Sequence, residues 1–332
     1  MTMELKCCPL CETKNLQPVY LARDRHYGIP GTFKIVRCAD CSLLFLNPMY
    51  SDEELSAFYP RDYYAYQNKS RQDPWKEILK RLAGLQIRTK DPQFPVPGRM
   101  LDLGCGTGWF LRGMREQGWE VHGVEINSAA AELGRKEACL NIFGGTLKQA
   151  NFPSNYFDYL RANHSFEHIS CPGETLDEIR RVLRPGGRLL LGVPNVAGLN
   201  ARIFRQYWWY LGAPVHPFTY SVETLSRLLK KHQFCIQKVT YNSDYSGILG
   251  SLQIWLNHRS GRKSTVGLAM NNPLLKVICH WTAKCIDFLK MGDAIEIVAV
   301  KSGNRNHLAV DSIENFRERV QASTERLEKA RP

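Results

Sequence analysis

At 332 residues with 44% hydrophobic side chains, the chain can build one full α/β domain plus smaller attachments. No run of about 18 uncharged apolar residues occurs, and Met1 to Cys11 lacks the apolar stretch of a signal peptide, which argues against a spanning helix and makes a cytoplasmic location the expectation. The 44 Lys and Arg against 32 Asp and Glu leave a net charge of +12, which suits nucleic acid, an anionic membrane surface or a phosphorylated substrate. Scattered solvated side chains account for the charge equally well, since no block of five like charges occurs.

Eleven cysteines without a secretion signal point to reduced thiols and metal ligands rather than disulfides. Residues 1–50 carry two Cys-x-x-Cys pairs, Cys8 with Cys11 and Cys38 with Cys41, the ligand set of a four-cysteine zinc ribbon. Four thiolates leave no open coordination position, so a structural Zn(2+) is expected there, and Cys7 is a spare neighbour in a poorer register. A metal-free knuckle or a redox pair are the competing readings. Leu43 to Leu46 reads as a short strand stopped by the Asn47-Pro48 turn.

Residues 51–97 read as a helical, aromatic segment. Ser51 and Glu54 form a capping-box pattern opening a helix over Ser51 to Tyr66, followed densely by Phe58, Tyr59, Tyr63, Tyr64 and Tyr66. The prolines at 92, 95 and 97 then mark a linker. Over residues 98–302 strands and helices alternate: strands at 100–103, 120–124, 156–162 and 188–193, with helices from 108, from 127 and over 175–183. That succession predicts a parallel sheet covered on both faces.

The first of these strands ends in Asp102 and runs into Gly104, Cys105, Gly106, Thr107 and Gly108. Glycines permit a tight turn and close approach of a ligand to the backbone. The Gly-x-Gly-x-x-Gly spacing of dinucleotide-binding enzymes fails, because Trp109 stands where the third glycine belongs. The second strand ends in Glu125, placed to accept hydrogen bonds from two ribose hydroxyls, although a surface acid is the bland alternative.

Phe157-Asp158-Tyr159, Asn163 to His168, Arg181 to Gly187 and Val193-Pro194-Asn195 follow in order. With Asp102–Gly108 and Glu125 this set resembles the class I S-adenosylmethionine (SAM) dependent methyltransferase superfamily. The resemblance implies a Rossmann-like, doubly wound α/β sheet of seven strands, the last antiparallel, carrying an N-terminal zinc ribbon. It places Asp102, Gly104, Cys105 and Gly106 beside the methionine part of SAM, Glu125 on the ribose, and Thr146, Leu147, Asn163 and His164 along the adenine and methionine sides. Arg184-Pro-Gly-Gly is a helix stop and turn and nothing more. The ribbon followed by the 51–60 segment and the core is similar to bacterial methyltransferases of cell-surface polysaccharide and small-molecule biosynthesis. That likeness implies a small-molecule or glycan acceptor methylated on oxygen or nitrogen.

Methyl transfer from a sulfonium is an in-line displacement, so positioning and exclusion of water are the protein's main tasks, with a general base as an option. His164, His168 and His216 are the histidines on offer. His164 could pack against SAM and His168 reads as a structural hydrogen-bonding residue. His216, in Ala213-Pro-Val-His-Pro-Phe218, stands where related methyltransferases resemble Pro-Arg-His, with Val215 replacing the Arg; it is the candidate base or acceptor contact, against a plain loop histidine.

Residues 200–220 are rich in Arg and aromatics and suit either a lid or a core helix. Within 273–290, Leu274, Ile278, Trp281, Cys285 and Phe288 recur at helical spacing, which predicts core packing first and peripheral membrane contact second. Residues 293–301 alternate like a closing strand, and within 303–332 a charged helix is expected over Ser312 to Lys329. The rival function is an rRNA or tRNA methyltransferase using the zinc module to bind RNA. Against it, the turn after the fourth strand is Arg161-Ala-Asn-His164, without the Asn/Asp-Pro-Pro-aromatic motif of base methylation.

Overall fold

The computed structural model describes residues 2–59, 96–259 and 267–302. Tyr63, Tyr64 and Tyr66, the Pro-rich stretch up to Pro95 and the expected helix over Ser312 to Lys329 lie outside the described residues.

Among the described residues the strands are β1 (Leu16–Ala22), β2 (Phe33–Cys38), β3 (Leu44–Leu46), β4 (Arg99–Leu103), β5 (Glu120–Glu125), β6 (Asn141–Gly144), β7 (Phe157–Asn163), β8 (Leu183–Pro194), β9 (Phe218–Thr219), β10 (Phe234–Tyr241) and β11 (Ala294–Lys301). Seven of them form one sheet in the order β10-β11-β8-β7-β4-β5-β6. β4 pairs in parallel with both β5 and β7, and only β11 runs against its neighbours. This is the covered parallel sheet that the alternation of elements predicts, doubly wound and closed by the antiparallel strand that the resemblance implies. The chain leaves β4 toward β6 on one side and returns to β7 on the other, so the loops after β4, β5 and β7 share one edge at the point where strand order reverses.

Strands buried on both faces need nearly continuous apolar runs, and β8 supplies one in Leu189, Leu190, Leu191 and Val193, all fully buried. Leu101, Leu160, Leu191 and Ile297 pack on one face with the helices α5 (Pro172–Val182) and α7 (Val222–Lys231). Met100, Tyr159 and Leu190 pack on the other with α2 (Trp109–Glu116) and α3 (Ser128–Ala138). The local signals explain the ends. Asn127 caps α3 by accepting from Ala130 N at 2.9 Å, and Pro172 sits in the first turn of α5, where its missing N–H is harmless, so this helix starts three residues earlier than its apolar period indicates.

The helix expected from Ser51 to Tyr66 is shorter, α1 (Asp52–Ala57). Its capping box is present, with Ser51 N donating to Glu54 Oε2 at 2.9 Å and Glu54 N to Ser51 Oγ at 3.3 Å. Pro60 disfavours helical backbone at Tyr59, which accounts for the early stop.

Residues 1–50 are joined to the large domain by a second sheet, β1-β2-β3-β9, in which β9 arrives from beyond residue 200. Alternation along β2 and β3 gives this sheet two buried faces. Val36 and Phe45 join the cluster around Phe166 and Phe218, whereas Phe33, Ile35, Leu44 and Leu46 meet Ala201, Trp208, Leu211 and Ala213. The 200–220 segment is therefore a packed wall built from α6 (Leu199–Phe204) and two single turns, Arg205–Tyr207 and Trp209–Leu211.

Core packing of the 273–290 stripe, the first expectation, is corrected by the structure. In α10 (Pro273–Phe288) the side that faces the protein carries His280, Ala283 and Ile286. Leu274, Ile278, Trp281 and Phe288 point outward, at 66%, 51%, 58% and 87% exposure. The helix docks on α8 (Tyr245–Arg259), and the short α9 (Leu268–Asn271) touches both. No helix among the described residues is long and apolar enough to cross a membrane.

Asp293 ties the wall to the sheet. It is almost wholly buried, accepting from Asn200 Nδ2 at 2.5 Å and Trp208 Nε1 at 3.2 Å. Burial pushes its carboxyl up to about 6, helped by Asp287 and Asp244 and opposed by the two donors. A carboxyl that holds its proton more tightly folded than unfolded stabilises fully below its unfolded value near 4, and loses that contribution as pH rises through about 6. Chemical denaturation at pH 4.5 and pH 7.5 is expected to show wild type losing more stability over that interval than Asp293→Asn, in which this titration is gone.

Candidate active site

The loops after β4, β5 and β7 enclose a cavity of about 310 Å³, near the lower limit of pockets that take a drug-sized ligand. Gly104, Glu125, Gly145, Thr146, Leu147, His164, Ser165 and His168 line it, along with Asp52 in α1 and Tyr59 two residues beyond that helix. Four carboxylates, Asp52, Glu125, Glu174 and Glu178, lie around it with one lysine, Lys148, 3.9 Å from Glu174, so in a protein of net charge +12 the cavity is an acidic spot.

The turn after β4 must leave the strand without a side chain in the way. Gly104 has φ +74°, and a Cβ there would run into Ser165; Gly108 has φ +76°, and its Cβ would run into Leu140. Ser165 Oγ in turn donates to Leu103 O at 2.6 Å, locking the β7 loop against the β4 turn. Glu125, at the end of β5, is 6% exposed. Its Oε2 accepts from Gly106 N at 2.8 Å and its Oε1 from Asn127 N at 2.9 Å. Burial raises its pKa, against these backbone donors. Each oxygen keeps a spare lone pair, so a diol in the cavity can still donate to the carboxylate.

Of the residues predicted for the cofactor, Gly104, Glu125, Thr146, Leu147 and His164 line the cavity. Thr146 also caps a short helix, α4 (Leu147–Ala150), through a capping box with Gln149. Asp102, Cys105, Gly106 and Asn163 lie behind that lining. Asp102 is buried and paired with Arg161 at 3.1 Å, and the Arg161 guanidinium sits 3.8 Å over the Phe110 ring. Gly106 reaches the cavity through its N–H on Glu125. Asn163 Oδ1 is buried without a hydrogen-bond partner.

The histidines converge on a residue that lies unmarked within the Asn163 to His168 motif. Glu167 is 2% exposed, in a single turn, Phe166–His168, after β7. His164 Nδ1 lies 3.4 Å from Glu167 Oε1, and the His164 side chain is 40% exposed at the cavity wall. Its φ of +53° is a left-handed backbone that a histidine adopts at some cost. Burial disfavours charge on Glu167 and on His164 alike. The contact between them and the neighbouring histidines nevertheless hold the Glu167 carboxyl down to about 2, and the Glu167 carboxylate lifts His164 above its usual value.

His216 Nδ1 is 3.0 Å from Tyr210 O, its ring 4.6 Å from that of His168. Burial, reinforced by His168, pushes its pKa down to about 3, so it is a neutral imidazole near pH 7. Tyr210 of the 200–220 wall faces His164, rings stacked at 6.5 Å, with its Oη donating to Asp244 at 3.0 Å. The signal for Glu167 was present as an i, i+3 spacing to His164, whereas nothing local links either residue to Tyr210 or His216.

Away from the cavity, Cys8, Cys11, Cys38 and Cys41 bring their sulfurs within 4.8 Å of one another. Cys8 and Cys41 are 3.5 Å apart, Cys11 and Cys38 3.4 Å, separations that suit four thiolates around one ion and not disulfides. Leu10 N and Cys41 N point at the Cys8 and Cys38 sulfurs at 3.4 Å, and the exposed Cys7 stands outside the cluster. The donor set fits a closed site for a soft divalent ion.

A methyltransferase-domain family model matches residues 67–239. A demethylmenaquinone methyltransferase of Listeria welshimeri is 32% identical over 124 residues, 34% of this chain and 52% of that protein. A malonyl-[acyl-carrier protein] O-methyltransferase of Erwinia pyrifoliae is 31% identical over 123 residues, 36% of this chain and 46% of that protein. The chain thus spans about half the length of these curated relatives. Among solved structures, a SAM dependent methyltransferase from Archaeoglobus fulgidus aligns at 20% identity and a TM-score of 0.44, covering 69% of this chain and 100% of that one.

Proposed function

Because the chain belongs to the methyltransferase-domain family, we propose that it catalyses SAM-dependent methyl transfer to an oxygen (or nitrogen) of a small molecule or cell-surface glycan precursor. The observation that carries this reading is Glu125, a buried carboxylate fixed by Gly106 N–H and Asn127 N–H at the rim of an acidic cavity on the sheet's switch-point edge. SAM supplies an electrophilic methyl on a sulfonium, which an acceptor lone pair takes as the carbon–sulfur electron pair returns to sulfur. The chain's part is to hold the two in line and dry.

In this reading Glu125 holds the ribose, Thr146 and Leu147 flank the adenine, and Gly104 with His164 borders the methionine end. Asp102, Cys105 and Gly106 shape the turn beneath, and Asn163 supports it. The cavity's carboxylates favour a cofactor with a sulfonium and an ammonium. His216 belongs to the acceptor side, where Tyr210 and His168 meet it and His164 stacks on Tyr210. The relatives' names, quinone and carrier-bound acyl methylation, support small or carrier-borne acceptors, and the RNA alternative draws no support from them. The four cysteines are assigned to a structural Zn(2+), and the outward stripe of α10 to peripheral membrane contact.

Isothermal titration with SAM tests the cofactor site. Glu125→Ala, which removes charged hydrogen-bond acceptors worth about 1.5–3 kcal/mol each, is expected to weaken binding roughly 10- to 100-fold or more. His216→Ala is expected to keep SAM affinity while turnover on the acceptor falls; equal affinity in Glu125→Ala and wild type would remove the reading. Elemental analysis is expected to find zinc in the purified chain and its loss, with a lower thermal midpoint, in Cys41→Ser. Co-sedimentation with anionic vesicles is expected for wild type and not for Ile278→Asp/Trp281→Asp; equal recovery of both proteins argues for a bare surface.

A further inference from the structure

Glu167, His168 and His216 each bring one ligand-type atom to within 4.8 Å of the others. Two of them are neighbours in sequence; the third comes from the 200–220 wall. Glu167 Oε2 is buried and has no hydrogen-bond partner, while Oε1 faces His164. Leaving an ionised oxygen buried and unanswered is costly, so something besides the described side chains belongs beside it.

The two histidines show what that is. His168 Nδ1 lies 2.8 Å from Val215 O, and His216 Nδ1 lies 3.0 Å from Tyr210 O. A carbonyl oxygen only accepts, so each ring carries a proton on Nδ1, and the neutral form of such a ring offers its lone pair at Nε2. Tyr59 Oη lies 2.6 Å from the same His168 nitrogen. The rings meet edge to face at 4.6 Å. A carboxylate oxygen and one nitrogen from each of two imidazoles thus share one small space. Imidazoles whose far N–H is fixed by a backbone carbonyl are the usual form of metal-ligating histidines.

We propose that Glu167, His168 and His216 form a binding site for a first-row divalent transition-metal cation in the wall of the cavity. Two imidazoles and one carboxylate suit manganese, iron, cobalt or zinc rather than calcium. The site is separate from the four-cysteine cluster in place and in chemistry, since thiolates select softer ions. Three protein ligands leave coordination positions open. His168 also lines the cavity, so an open position is available to an acceptor oxygen; this last role rests on the methyl-transfer reading, whereas binding of the ion does not.

The test uses the full chain with Mn2+ as probe, following the loss of the free-ion electron paramagnetic resonance signal. Wild type is expected to bind one Mn2+ per chain. Glu167→Gln and His216→Asn are each expected to bind at least about tenfold more weakly, while Glu125→Ala, altered at the cofactor site, binds Mn2+ like wild type. An unchanged far-ultraviolet circular dichroism spectrum certifies that a ligand variant is folded, and if Glu167→Gln fails that check, His168→Asn and His216→Asn decide the matter. No binding by wild type at millimolar Mn2+, or undiminished binding in the folded ligand variants, overturns the site. A protein that binds Mn2+ but not SAM keeps the ion site and loses the methyl-transfer reading; the opposite pattern keeps the transfer reading and removes the ion.

Discussion

Parallel pairing of β4 with β5 on one side and β7 on the other is the constraint from which the site follows. It sends three loops to one edge, and the reversal of strand order between β4 and β7 opens a crevice that no side chain needs to carve. What the sequence must then provide is backbone that stays out of the way. Gly104 does this on the β4 loop, and Ser165, reaching across to Leu103 O, fixes the β7 loop against it. Glu125 completes the edge, its two oxygens anchored by N–H groups of both its own loop and the β4 turn. The cavity is preorganised by hydrogen bonds between the residues that line it and the backbone around them.

Behind that edge the molecule tolerates an expensive arrangement. Glu167 is a buried carboxylate within a group of three histidines, and His164 beside it has a left-handed backbone. Buried charges are retained in folded proteins where partners or ligands repay the desolvation, and strained backbone tends to gather at working sites. Asp293, the other deeply buried acid of the wall, is different in kind. Its carboxylate receives Asn200 and Trp208 and serves to bind α6 and the wall to β11. One acid is fully answered by protein donors and the other keeps a bare oxygen, which separates a structural role from a ligand-binding one.

The parts legible in the sequence are those whose signal is local. Asp102 to Gly108 and Glu125 each occupy one short window, and the centres of β4, β5, β7, β8 and β11 fall where periodicity and turn residues put them. The misreadings come from information a window lacks. The stripe of α10 has the right period, but period says nothing about which side meets the protein: His280 is buried and Trp281, its neighbour, is exposed. The link between Glu167 and His216 is likewise invisible, because 48 residues intervene and only tertiary packing closes the gap.

The N-terminal sheet supplies that closure. β3 pairs with β2 on one side and with β9 on the other, and Leu46 N donates to Pro217 O at 2.9 Å, one residue beyond His216. Cys38 ends β2, and Cys41 sits in the turn that delivers the chain to β3. A cluster of four cysteines some distance from the cavity thus holds the turn whose strand positions His216. Residues 1–50 resemble an attached module when read as sequence, because their metal-ligand spacing is complete in itself. In the fold they provide the strand against which the 200–220 wall is registered, so loosening the cysteine cluster should be felt at His216 before it is felt at Glu125, which is held by β5 and the β4 turn.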